Sequence, residues 1–166
     1  GSWPDPVKIL DPATQQLKTT YVEDIDVMSR LLDALPNIDW TYTGSSNKTL
    51  PVFPNLDISD RVTLLHFIMN STKPIISEIT NLEALREMID LCSIVAGGEK
   101  NLASKPFWGG SCEPVSPLVE GKDAMEKSLL CAEKGLPVVV YSMPMAGATT
   151  PATGAAILAL STAEVL

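Results

Sequence analysis

The run of three valines and a tyrosine at residues 138–141 constrains the fold of this chain most strongly. An unbroken β-branched and aromatic run of this length is typical of a strand covered on both faces, as in a parallel sheet. Residues 143–153 are rich in proline, threonine, glycine and alanine, and an alanine-rich helical segment follows them. We therefore predict a central parallel strand, then a loop at the carboxyl edge of the sheet, where ligands bind in α/β folds, and then a helix.

The same order of strand and helix recurs along the rest of the chain. Further strands are predicted at residues 38–43, 75–76 and 106–112, and Gly109-Gly110 indicates a close backbone approach or a bulge in the last of them. Ser59 and Asn81 are expected to cap the second and third helices, and Gly97 to end the third. The apolar stripes that predict the four helices are Val22, Ile25, Met28, Leu32 and Leu35; Val62, Leu65, Ile68 and Met69; Leu82, Leu85, Ile89, Cys92 and Ala96; and Met125, Leu129, Ala132 and Leu136.

Repeated alternation of strand and helix implies a parallel sheet, either doubly wound or closed as a (β/α)8 barrel. Residues 7–10 and 16–20 flank a turn that starts at Asp11 and Pro12, so a β-hairpin is expected before the first helix. A loop rich in glycine, serine and asparagine is expected at residues 44–47. A complete barrel takes about 250 residues, whereas this chain has 166. We therefore expect part of a larger fold.

Composition narrows the class of protein. The chain is 45% hydrophobic, enough for one core, and its first two residues, Gly1 and Ser2, are interpreted as a cloning scar. No apolar run approaches the ~18 residues of a membrane span, and no secretory signal is visible. A net charge of −8 opposes binding to nucleic acid or anionic membranes. A soluble, cytoplasmic protein without nucleic-acid or membrane partners is expected.

Several familiar kinds of catalytic site lack support in this sequence. The three cysteines, Cys92, Cys112 and Cys131, form no C-x-x-C pair, so we predict reduced structural thiols and no metal site. His66 is the single histidine and falls within a helical pattern, which argues against a Ser-His-Asp hydrolase. Nucleotide-binding glycine loops are also missing from the sequence.

The candidate site residues lie near predicted strand ends. Glu78 and Glu113 follow strands at the edge where α/β enzymes place reacting groups, although a loop hydrogen bond or a structural ion pair is the alternative interpretation. A cation could be held by these acids together with aromatic rings. The aromatic candidates are Trp40, Tyr42, Trp108 and Tyr141, and the candidates for a cofactor-facing loop are Met143, Met145, Gly147 and Thr149.

Three strings, taken together, resemble the trimethylamine methyltransferase family. They are LDALPNIDW at residues 32–40, CEPVSPL at 112–118, where Glu113 is an addition to the family's pattern, and SMPMAGATTPATGAAILALSTAEVL at 142–166. The resemblance implies a partial (β/α)8 TIM barrel of about four β/α units, with residues 3–166 as roughly the N-terminal half of the domain. It implies methyl transfer from trimethylamine or a quaternary amine such as glycine betaine to the Co(I) of a corrinoid (cobalamin) on a partner protein. It assigns no catalytic residue here.

Two other functions remain open on the sequence alone. One is a non-catalytic α/β binding or assembly module on a barrel scaffold, because fold does not fix function. The other is a different barrel enzyme, such as an aldolase or decarboxylase, although no lysine ends the predicted strands. A partial barrel would expose strand edges, so self-association into a homo-oligomer is also expected.

Overall fold

A computed structural model describes residues 8–44 and 58–166 of the chain. Apart from Gly44, the predicted loop at 44–47 lies outside the described residues, as do Val7 and the first two residues. The strands are β1 (Lys8–Leu10), β2 (Leu17–Thr19), β3 (Thr41–Thr43), β4 (Ile75–Ser77), β5 (Trp108–Cys112) and β6 (Val138–Val140). The helices are α1 (Val22–Ala34), α2 (Ser59–Asn70), α3 (Leu82–Ala96), α4 (Glu99–Ser104), α5 (Lys122–Glu133) and α6 (Gly154–Val165).

Four of the strands form one parallel sheet in the order in which they occur in the chain. β3 pairs with β4, β4 with β5 and β5 with β6, and helices connect successive strands. This strictly sequential order is that of a (β/α)8 barrel, whereas a doubly wound sheet reverses its order at a switch point. The predicted partial barrel and the separate antiparallel hairpin of β1 and β2 are both confirmed.

The main core lies between one face of this sheet and the helices. Ile75 and Trp108 contribute to it from the sheet, and Leu85, Met88 and Cys92 contribute from α3. Because side chains alternate along a strand, Tyr42, Ile76 and Ser111 point to the opposite face. The sheet therefore has a helix-covered face and a second face that carries polar and aromatic groups.

Helix α3 agrees with its prediction at both ends. The Asn81 side chain accepts a hydrogen bond from Ala84 N at 2.9 Å, and Gly97 ends the helix with a left-handed φ of 75°. Asparagine at the N-cap satisfies a backbone N–H that has no partner within the helix, and glycine adopts positive φ without strain. Helix α1 likewise ends before Pro36, as predicted.

The predicted faces of α2 and α5 are wrong. In α2 the buried residues include Ser59, Asp60 and Thr63, whereas Met69 is exposed; Ser59 is the first helical residue rather than the cap. In α5 the predicted stripe of Met125, Leu129 and Ala132 is exposed. The buried residues of α5 are Leu130 and Cys131. The spacing of apolar residues does not identify the buried face of either helix, because the buried face of α2 carries polar residues and the exposed face of α5 carries apolar ones.

The prediction that residues 138–141 form a central, fully covered strand is also corrected. β6 is parallel, as expected, but it is the edge strand of the described sheet, and its three valines are only partly buried. Tyr141 continues past its end. Among the described residues, no strand pairs with the outer side of β6.

No helix within residues 8–44 and 58–166 is long and apolar enough to span a membrane.

All three cysteines are free and buried, as predicted. Burial raises the pKa of the Cys92 thiol to about 12 and that of Cys131 to about 11. Since the thiolate is the reactive form, we expect both to react with a thiol reagent at pH 8 orders of magnitude more slowly in the native protein than in guanidinium. Equal rates in the two conditions would contradict the described burial.

Candidate functional site

Glu78, Glu113 and Tyr141 stand at one edge of the sheet because each directly follows a strand. Glu78 N donates to Thr43 O at 2.8 Å, and Tyr141 N donates to Cys112 O at 3.1 Å. These bonds extend the parallel ladders one residue beyond β4 and β6. The three residues therefore lie side by side at the carboxyl ends of neighbouring strands, where barrel enzymes have their active sites.

A cleft of about 180 Å3 opens between this edge and α5. Its lining residues are Glu78, Ser111, Glu113, Lys127 and Tyr141, with Ile79, Cys112 and Ala124 as the apolar contribution. Lys127 Nζ donates to Ile79 O at 2.7 Å and pairs with Asp123 Oδ2 at 2.7 Å. The structure thus brings the two predicted acids together in a cleft that carries two carboxylates and one ammonium group.

A row of hydroxyl groups supports Tyr141. Tyr42 OH lies 3.0 Å from Tyr141 OH and 3.0 Å from Ser111 Oγ, which in turn donates to Ser77 O at 3.1 Å. The two tyrosine rings meet edge to face with centroids 6.3 Å apart. Burial, above all, raises the pKa of both tyrosines, so both are neutral phenols at pH 7.

Tyr42→Phe should lower the free energy of unfolding by about 1–2 kcal/mol, because the hydroxyls of Tyr141 and Ser111 each lose a partner in a part-buried place. Urea denaturation measures this, with the exposed Tyr21→Phe as the matched control. Equal midpoints for the two variants would show that the hydroxyl row contributes nothing to stability.

Two of the predicted aromatic contacts lie elsewhere. Trp108 is 1% exposed, packs in the helix-side core and donates from Nε1 to Ser77 Oγ at 2.9 Å. It is the first residue of β5, and Trp40 precedes β3, so both tryptophans lie toward the amino ends of the strands. The prediction that Trp108 contacts substrate is therefore corrected. Tyr42 is buried as well, and its hydroxyl contacts that of Tyr141, which lines the cleft.

The loop after β6 is shaped by Gly147 and Thr149. Met145 O accepts hydrogen bonds from the backbone N–H groups of residues 148–150 at 3.0, 3.0 and 3.2 Å, and Thr149 Oγ1 accepts from Met145 N at 2.8 Å. Gly147 has a φ of 75°, which favours glycine. Gly147 N donates to Thr150 O at 2.7 Å, so the backbone N–H groups of Gly147 and Thr149 are both used within the turn. The side chains of Met143 and Met145 are about 60% exposed.

Ser111 and Lys127 were not predicted as site residues. Ser111 lies two residues before Glu113, and this spacing on a strand is the signal that places it near the cleft. Lys127 carried no such signal, because its helix face was predicted wrongly. Within residues 8–44 and 58–166, no group of three or more His, Cys, Asp or Glu side chains is arranged to hold a metal ion. His66 Nδ1 contacts Asp26 Oδ1 at 2.6 Å and so links α2 to α1.

Comparison with known protein families gives a match over nearly the whole chain. The family model described as trimethylamine methyltransferase (MTTB) covers residues 10–166. The chain belongs to this family. Trimethylamine methyltransferase MttB of Desulfitobacterium hafniense is 30% identical over 164 residues, which are 96% of this chain and 32% of that protein.

Two further family members show the same partial overlap. Glycine betaine methyltransferase of Desulfitobacterium hafniense is 31% identical over 114 residues, which are 66% of this chain and 24% of the relative. Trimethylamine methyltransferase MttB1 of Methanosarcina mazei is 28% identical over 144 residues, 87% of this chain and 29% of the relative. This family member thus spans about a third or less of the length of the three curated relatives.

Proposed function

We propose that this chain contributes several strand ends of an enzyme that moves a methyl group from a tertiary or quaternary methylated amine, of the trimethylamine or glycine betaine type, to the Co(I) of a corrinoid on a partner protein. The observation that carries the proposal is the cleft in which Glu78, Glu113 and Tyr141 converge at the carboxyl edge of the sheet. Membership of a family whose relatives bear both substrate names supports the reaction class.

The cleft suits a methylated ammonium ion for electrostatic reasons. A quaternary ammonium has no N–H to donate, so it is held by negative charge and by the electron-rich faces of aromatic rings, with roughly 0.5–2 kcal/mol from each ring contact. Glu78 and Glu113 supply the charge and Tyr141 supplies the ring. The chain's net charge of −8 adds a long-range attraction for cations.

Exposed apolar side chains in the two loops that follow β5 and β6 are expected to face the corrinoid and the protein that carries it. Val115, Leu118, Met143 and Met145 belong to the loops after β5 and β6, and all are more than half exposed. Where exposed apolar side chains lie next to one another, they mark docking surfaces. When bound, the reduced corrinoid supplies the nucleophile that accepts the methyl group. Glu78, Glu113 and Tyr141 of this chain position the ammonium ion in the cleft and stabilise its positive charge.

The reaction is a property of the intact protein, because a barrel site is assembled from several strand ends. The test is consumption of trimethylamine or glycine betaine by the intact protein with its reduced corrinoid protein, followed by proton magnetic resonance of the methyl signals. We expect stoichiometric loss of one methyl group from one of the two amines. A fully reduced corrinoid partner that leaves both amines unchanged would overturn the proposal.

A further inference from the structure

The buried residue of helix α6 is a charged one. The helix is apolar in composition, yet Leu158 is 70% exposed, whereas the carboxylate residue Glu164 is 6% exposed and is the buried residue of α6. Glutamate is seldom buried without partners. The contacts of this side chain therefore indicate what fixes the end of the helix.

The Glu164 carboxylate accepts hydrogen bonds from two different loops. Ser116 Oγ donates to Oε2 at 2.8 Å and Leu118 N donates to Oε1 at 2.9 Å, both from the loop after β5. Ser142 Oγ, from the loop after β6, also donates to Oε2. The hydrogen bond from Ser142, followed by that from Leu118, holds the pKa of Glu164 below its usual range, so the acceptor is ionised at neutral pH.

These two loops begin at the cleft. Glu113 is the first residue of the loop after β5, and Tyr141 directly precedes Ser142 in the loop after β6. The hydrogen bond from Tyr141 N to Cys112 O extends the ladder between β5 and β6 by one residue, and beyond it another contact must set the spacing of the two loops. We propose that Glu164 is a positioning residue that clamps the two loops together and thereby keeps Glu113 and Tyr141 facing one cleft. What the cleft binds rests on the proposed function, but the clamp itself does not.

Hydrogen exchange in the intact protein tests the clamp without any ligand. Glu164→Ala should speed amide exchange in residues 114–120 and 142–150 together and leave α3 unchanged, while Glu164→Gln, which keeps one acceptor oxygen, should give a smaller effect. Glu133→Ala, which removes an exposed carboxylate from α5, is the control and should change neither loop. Exchange that rises in only one loop, or in neither, would overturn the proposal.

A ligand titration separates positioning from a merely structural role. We expect Ser116→Ala and Ser142→Ala each to raise the dissociation constant for tetramethylammonium by about 2- to 12-fold, and neither to raise it further when Glu164 is already alanine. The clamp would be overturned if the two serine substitutions weakened binding equally with Glu164 present and with alanine in its place. It would also be overturned if the Glu164→Ala protein bound tetramethylammonium as tightly as the parent. A parent that does not bind tetramethylammonium at all would instead count against the proposed function, and the exchange result would still decide the clamp.

Discussion

Replacing Gly109 with alanine is expected to lower the free energy of unfolding by about 3 kcal/mol, at the upper end of the usual cost of overpacking a core. A Cβ at this position would lie 2.4 Å from Pro137 O and 2.8 Å from Pro137 Cγ. Pro137 O is not free to move away, because it accepts the hydrogen bond from Gly110 N at 3.1 Å. Relief of the clash therefore requires β5 and β6 to separate. Guanidinium denaturation measures the loss of stability, as a lower midpoint with an unchanged dependence of the free energy of unfolding on denaturant concentration.

Gly154→Ala is the matched control for that variant. A Cβ at Gly154 meets nothing within 4 Å. The substitution should change stability by no more than about 0.5 kcal/mol, and in the stabilising direction, because alanine restricts the unfolded chain. If the two alanine variants unfold at the same denaturant concentration, the close approach of β5 to Pro137 is wrong.

Converting both cleft acids to amides is expected to have the largest effect on binding. In the intact protein, Glu78→Gln with Glu113→Gln should raise the dissociation constant for tetramethylammonium by more than about tenfold, with about 1 kcal/mol from each partly solvated carboxylate. Each glutamine keeps the size of the side chain and removes the charge that the cation requires. Calorimetric titration measures the constants, and circular dichroism establishes that the fold is retained.

Glu133→Gln with Glu83→Gln provides the control for net charge. Both glutamates are exposed and neither lines the cleft, but the chain loses two negative charges, as in the test variant. The control should bind the cation nearly as well as the parent. Equal weakening in the two double variants would mean that only the overall field of the protein attracts the cation.

The sequence predicted the fold wherever local signals agreed with one another. Helix α3 combined an asparagine N-cap, an apolar stripe and a terminal glycine, and it was predicted correctly at both ends. Helix α2 had an apolar stripe and a predicted cap at Ser59 but no glycine at its end, and both its cap and its buried face were predicted wrongly. The buried face of α5 was predicted wrongly as well. The short helix α4 was not predicted, because six residues are too few to show a period. The strand at β6 was identified, but which strand of the described sheet pairs with it is not encoded by any local pattern.

The site was predictable to the extent that it follows from strand direction. Glu78 and Glu113 directly follow strands, so parallel pairing alone brings them to one edge. Trp40 and Trp108 were misplaced because nearness to a strand end was considered without asking which end it was. The role of Glu164 had no sequence signal, since a glutamate near the end of a helix is normally a solvated residue. Its burial depends on two loops that reach it from distant parts of the chain.

We propose that the cleft at Glu78, Glu113 and Tyr141 recognises a methylated cation by charge. The most direct measurement is a calorimetric titration of the intact protein with tetramethylammonium and with tert-butanol, a neutral molecule of similar size and shape. We expect the cation to bind more than about tenfold more tightly, a difference of about 1.4 kcal/mol, and the double glutamine variant to abolish this preference. Equal affinity of the parent protein for the two molecules would show that the cleft does not recognise the cation by its charge.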